Sequence, residues 1–103
     1  MTINLAGYSI KNFTDSLSFG EYLRLLRKAD EVTQRELAKR IGCKPQYINA
    51  IEHGREKSSL EFAQRIAEAL GYSIAPFAQI LLNEQLRQCD PSLEIQIARR
   101  SQL

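Results

Sequence analysis

The stretch TQRELAKRIGCKPQYINAIEHG, residues 33–54, decides how the chain is to be read. Thr33 and Glu36 stand three apart just before an apolar run, the spacing at which a hydroxyl and a carboxylate can each satisfy a backbone donor of the other residue at a helix start. Leu37, Ala38 and Ile41 then recur on one helical face. Ala38 is small enough to let a second helix cross closely there. Gly42 can take the positive φ of a tight turn without steric cost, and Pro45 fits the first turn of a new helix, where its missing amide is no loss. Ile48 and Ile51 face inward, and Gly54 ends the second helix. The stretch predicts a helix, a tight turn and a second helix that presents its N-terminal end, leaving Lys44, Gln46, Tyr47, Asn49 and Ala50 on or beside its outer face.

Charge supports a phosphate-facing surface at the same place. Net charge over the 103 residues is only +2, yet residues 24–57 hold nine Lys or Arg against five Asp or Glu, and the remainder is net negative. A hydrophobic fraction of 44% with 25% charged residues is the balance of one folded domain. No apolar run approaches the roughly 20 residues of a membrane helix. The N-terminus also lacks the pattern of a secretory signal, so a cytoplasmic protein is expected. Cys43 and Cys89 form no metal-ligand spacing with the single histidine, and no zinc site, disulfide or cofactor is expected. Cys43 with His53 as a catalytic pair is set aside, because a turn and a helix end already account for them. No paired carboxylates or glycine-rich phosphate loop points to an enzyme.

Outward from the stretch, residues 1–17 alternate apolar and polar side chains about a slip at Ala6 and Gly7, which reads as an extended N-terminal arm. Ser18 and Glu21 make another capping box, followed by Phe19, Leu23 and Leu26 as one apolar face, with the helix fading near Ala29 or Asp30. Beyond Gly54, Ser58 and Glu61 suggest a third box, opening a helix with Leu60, Ala63, Ile66, Ala67 and Leu70 as its buried stripe, stopped by Gly71. Ser73 and Pro76 start a fifth helix. It carries two stripes, Phe77, Ile80 and Leu81 on one side and Leu82, Leu86 and Cys89 on the other. Asp90, Pro91 and Ser92 end it. Leu93, Ile95 and Ile97 then alternate with polar or small neighbours, which predicts a C-terminal β-strand; a lone strand is unstable, so this one should pair with the arm or with a second copy.

Leu23, Arg27, Thr33-Gln34-x-Glu36-Leu37-Ala38, Gly42, Ile48, Ile51-Glu52-x-Gly54, Ser59-Leu60-Glu61 and Ala67-x-x-Leu70-Gly71 together make the chain resemble the phage-repressor-like (Xre/Cro) helix-turn-helix family over about residues 19–82. The resemblance implies an all-α, compact five-helix DNA-binding domain. It implies that Arg27 and Glu52 form an internal salt bridge and that Gln34 bonds a phosphate and steadies a reading side chain. The expected organisation is an arm over 1–17, a DNA-binding domain over 18–82, and a helix extension with terminal strand over 83–103.

A recognition helix puts its N-terminal residues at base edges while the preceding helix crosses the backbone. Lys44 and Gln46 are therefore expected to read bases, with Asn49 and Ala50 one turn further along; glutamine suits adenine, lysine suits guanine, and Ala50 suits a thymine methyl. Gln34, Tyr47, His53, Arg55 and Lys57 are expected at phosphates. Family members often carry Ser or Thr at the position of Lys44, and lysine cannot accept the capping amide bond. Leu82, Leu86, Leu93, Ile95 and Ile97 are expected to form a homodimer. The expected function is a sequence-specific double-stranded DNA-binding regulator, most simply a repressor on a palindromic operator. The alternative is an antitoxin that binds a toxin protein and autoregulates its operon.

Overall fold

The computed structural model describes residues 17–98 and Arg100. The arm expected over 1–17 lies, but for Leu17, outside the described residues, as does most of the tail after Ala98. Among the described residues five helices follow one another: α1 (Phe19–Ala29), α2 (Gln34–Ile41), α3 (Pro45–Glu52), α4 (Leu60–Leu70) and α5 (Ile74–Cys89).

Local chemistry sets the start of each helix. At Ser18 the capping box is complete: its Oγ accepts from the Glu21 amide and Glu21 Oε1 accepts from the Ser18 amide at 2.9 Å. Hydrogen bonding to the carboxylate, first from the Ser18 amide and then from the Ser18 side chain, holds the Glu21 carboxyl below its ordinary pKa. Thr33 Oγ1 accepts from the Glu36 amide at 3.0 Å, but Glu36 Oε1 accepts back from the Thr33 hydroxyl rather than from its amide. The expected third box is not formed, and a single cap bond one residue further on takes its place. Ser59, not Ser58, caps α4 through the Phe62 amide at 3.0 Å, while buried Ser58 donates its hydroxyl to the Ser59 carbonyl. The helix is phased accordingly: Phe62, Ala63, Ile66 and Ala67 face the core, and Leu60, about 200° around the helix from Phe62, is 43% exposed.

Helix ends are equally determinate. Gly42, Gly54 and Gly71 take positive φ after α2, α3 and α4, and Glu31 does the same after α1 at φ 57°. After α1 the Val32 amide reaches Arg27 O and the Glu31 amide reaches Lys28 O, each at 3.0 Å. This is the Schellman pattern, with Val32 folded into the core.

One core joins all five helices, with Phe19, Leu23, Val32, Leu37, Ala38, Ile41, Ile48, Ile51, Phe62, Ala63, Ile66, Ala67, Phe77, Ile80 and Leu81 buried in it. Two arginines lace α2 to α4: Arg65 donates to the Ile41 carbonyl, and Arg40 to the Ala69 carbonyl at 3.1 Å. Ala38 is buried as expected, and a close backbone approach of another pair of helices is made at Gly20. A Cβ there would lie 2.3 Å from Ile51 O and 2.6 Å from Glu52 O, so α1 seats directly on the end of α3.

The expected C-terminal β-strand is not formed; among the described residues there is no strand. Residues 93–98 dock instead on α5. Buried Asn83 accepts the Ile95 amide on Oδ1 at 2.6 Å and donates Nδ2 to the Ile95 carbonyl at 3.1 Å; one turn earlier, Gln79 Oε1 accepts the Ile97 amide at 2.9 Å. Four helical residues rise about 6 Å and two extended residues about 6.6 Å, so carboxamides at helical spacing match alternate residues of an extended chain running antiparallel to the helix. Ile95 and Ile97 are half-buried, but Leu93, in the same alternation, is 45% exposed. The segment's hydrogen-bonding partner is a row of side chains rather than another strand.

Candidate nucleic-acid interface

The residues that the sequence singled out as readers and clamps gather around α3. At its start, Lys44 has the extended φ and ψ of a cap, −82° and 143°, but makes no capping side-chain bond. The Tyr47 amide bonds the main-chain carbonyl of Lys44 at 3.0 Å. Lys44 and Gln46 are exposed, while Asn49 and Ala50 are half-buried.

Behind this surface lies an ordered chain of polar contacts. Arg27 grips Glu52 with two bonds, Nε to Oε2 at 2.7 Å and Nη2 to Oε1 at 2.9 Å, and its Nη1 donates to Val32 O at 2.9 Å. Both side chains are buried, so the geometry that the resemblance implied for this pair is present. Gln34 Nε2 donates to the same Glu52 Oε1 at 3.0 Å. Asn49 Nδ2 faces Gln34 Oε1 at 3.4 Å, and Arg55 Nη2 donates to Asn49 Oδ1 at 2.6 Å. Bond by bond, the network runs from the first helix through the core to the exposed guanidinium of Arg55.

Gly54 makes that last bond possible. With φ 75°, it lets its own amide reach Ile51 O at 3.1 Å and the Arg55 amide reach Ala50 O at 2.8 Å, which folds Arg55 back along the helix. His53 Nδ1 lies 2.9 Å from Asn49 O, a carbonyl that only accepts, so the contact is a hydrogen bond in the tautomer protonated at Nδ1.

Two expected phosphate contacts are placed differently from the rest. Tyr47 is half-buried and stacks edge-on against Phe62 of α4, with ring centroids 5.0 Å apart. Lys57 donates Nζ to Gln88 Oε1 on α5 at 3.1 Å, away from the polar chain. Burial pushes the Cys43 thiol above its ordinary pKa, the wrong direction for a nucleophile. The described residues include no cluster of three potential metal ligands and no helix long and apolar enough to cross a membrane.

Sequence reasoning missed Gly20, Gln79 and Asn83. Asn83 had a signal: it interrupts α5 three residues after buried Ile80, and a polar group at such a position needs partners.

A family model described as "Helix-turn-helix" matches residues 23–77. The chain belongs to the Xre-like helix-turn-helix family, whose members are DNA-binding transcriptional regulators. An uncharacterized HTH-type transcriptional regulator of Methanothermobacter thermautotrophicus is 51% identical over 49 residues, covering 48% of this chain and 71% of that protein. Among solved structures, the clp gene regulator ClgR of Corynebacterium glutamicum superposes with a TM-score of 0.57 at 33% identity, over 64% of this chain and 86% of that one. The restriction-modification controller protein C.AhdI of Aeromonas hydrophila gives a TM-score of 0.56 at 28% identity, over 65% and 97%. These relatives are regulators rather than enzymes.

Proposed function

We propose that the chain is a sequence-specific repressor that binds a palindromic operator in duplex DNA as a homodimer, reading bases through the recognition helix over 45–53. The observation that carries the reading is the contrast along α3. Its N-terminal end offers the exposed side chains of Lys44 and Gln46, whereas its far end is fixed to the protein through Glu52 and Arg55. A helix so held can enter a major groove end-on without tilting. In this reading Lys44, Gln46 and Ala50 face base edges, Gln34, His53 and Arg55 face phosphates, and Tyr47 and Lys57 flank them.

The pairing surface in this reading is Leu82 and Leu86 of α5 with Leu93, Ile95 and Ile97. Leu93 is 45% exposed and the other four are half-buried, so apolar surface is left for a second copy. Because the Ile95 and Ile97 amides are engaged by α5, that edge of the segment is closed to sheet formation, and in this reading the contact is made by side chains.

Selection of bound sequences from randomised duplexes tests the whole reading. A two-fold symmetric site is expected, with half-sites about 34 Å apart. Gln46→Ala should relax preference at one position of each half-site by about 1–3 kcal/mol. Recovery of no preferred sequence, or of a single asymmetric half-site, would overturn the specific dimer.

A further inference from the structure

We propose that Asn49 is a positioning residue, which orients the Arg55 guanidinium for a phosphate rather than reading a base itself. The proposal rests on the DNA-binding reading above and deepens it.

Both ends of the Asn49 carboxamide are engaged within the protein. Its oxygen accepts from Arg55 Nη2 at 2.6 Å, and its nitrogen faces Gln34 Oε1 at 3.4 Å. The second contact exceeds the usual N–H···O range, so Asn49 governs Arg55 more strongly than it governs Gln34. Bidentate recognition of adenine needs oxygen and nitrogen of one carboxamide presented together at a base edge. Here that would mean giving up a short, charge-assisted bond. The residue is also half-buried, whereas Gln46 is exposed.

The backbone cooperates. Gly54 at φ 75° returns the chain, the Arg55 amide is bonded to Ala50 O, and the side chain lies back toward Asn49. The guanidinium has five donors in a planar fork, so one bond to Asn49 leaves the others for a phosphate. A neutral acceptor suits this purpose. A carboxylate at residue 49 would orient the arginine equally well but would cancel the charge that attracts DNA. The buried carboxylate nearby, Glu52, is already neutralised by Arg27. The network therefore keeps one ion pair inside and delivers the positive charge of Arg55 to the surface, held at a defined point.

The test uses the full chain and the duplex recovered by selection, with its set of single base-pair substitutions. Affinity is measured by fluorescence anisotropy between 50 and 200 mM salt for wild type, Asn49→Ala, Arg55→Ala and the double variant, with thermal melts to confirm folding. Losing one phosphate contact lowers the salt slope by about 0.9, a change of roughly threefold in the affinity ratio across that salt range. The expected result is that Asn49→Ala weakens all duplexes alike, flattens the slope as Arg55→Ala does, and adds nothing in the double variant. Loss of discrimination at one base pair, losses that multiply in the double variant, or an Asn49→Ala protein equal to wild type would each overturn the proposal. A wild-type protein that shows no salt-dependent binding to any duplex would instead remove the DNA-binding reading beneath it.

Discussion

At its N-terminal end α3 begins from Lys44, which offers no side-chain cap; at its C-terminal end Gly54, Arg55, Glu52 and Gly20 fix it through a Schellman turn, a buried ion pair and direct backbone contact with α1. The other four helices start from a serine or threonine whose hydroxyl accepts an amide: Ser18, Thr33, Ser59 and Ser73. So the weak start is particular to α3. The comparison separates two demands on one eight-residue helix. One end must present side chains to something outside, and the other must transmit the rigidity of the core.

The sharpest way to break the contrast is at the buried pair. Arg27→Met leaves the Glu52 carboxylate buried with only Gln34 beside it, and a loss of about 3–5 kcal/mol is expected in denaturant unfolding. A loss below 1 kcal/mol would mean that the far end of α3 is not held by this pair. Next comes Gly20→Ala. Alanine favours a helix by about 1 kcal/mol, but a methyl group 2.3 Å from a backbone oxygen must push α1 off α3. The clash should win, with a net loss of about 1–3 kcal/mol; equal or greater stability would show that the two helices part easily.

Gly54→Ala probes the turn itself. A Cβ there meets nothing within 4 Å, so the cost is that of the positive φ alone, about 1–2 kcal/mol. Because Arg55 depends on this turn, DNA affinity should fall with it, and unchanged affinity would separate the turn from the clamp. At the opposite end, Lys44→Ser restores the missing cap and should add about 1 kcal/mol. That is a rise in Tm of roughly 4–8 °C for a domain of this size. The same change removes a proposed base contact, so stability and DNA discrimination should move in opposite directions.

Much of the frame was legible because it is written in short-range chemistry. Ser18, Thr33, Gly42, Pro45, Gly54 and Gly71 mark starts and stops by their own conformational and hydrogen-bonding properties, and the apolar faces of α1 to α3 follow from residue spacing. Where two equivalent signals stood side by side, local reading lost a residue: Ser58 and Ser59 both can cap, and burial of Phe62 decides between them. Gly20 was illegible as a contact, since its meaning depends on where α3 lies. The terminal strand failed for a related reason. Alternation reports that every second residue faces inward, not what meets the backbone, and Asn83 with Gln79 meets it as a strand would. At the candidate site, exposure of Lys44 and Gln46 could be read from helical phase. The linkage of Asn49 to Arg55 could not, because it depends on a side chain folding back across a turn.

That carboxamide ladder also bears on the protein's solubility. An extended segment with alternating isoleucines is the kind of sequence that recruits further chains into sheets when its backbone groups are left open. By taking both groups of Ile95 and the amide of Ile97, α5 closes one of the two edges along which such recruitment could proceed. The helix thus shields one edge of the stretch of chain that follows it from pairing with other chains.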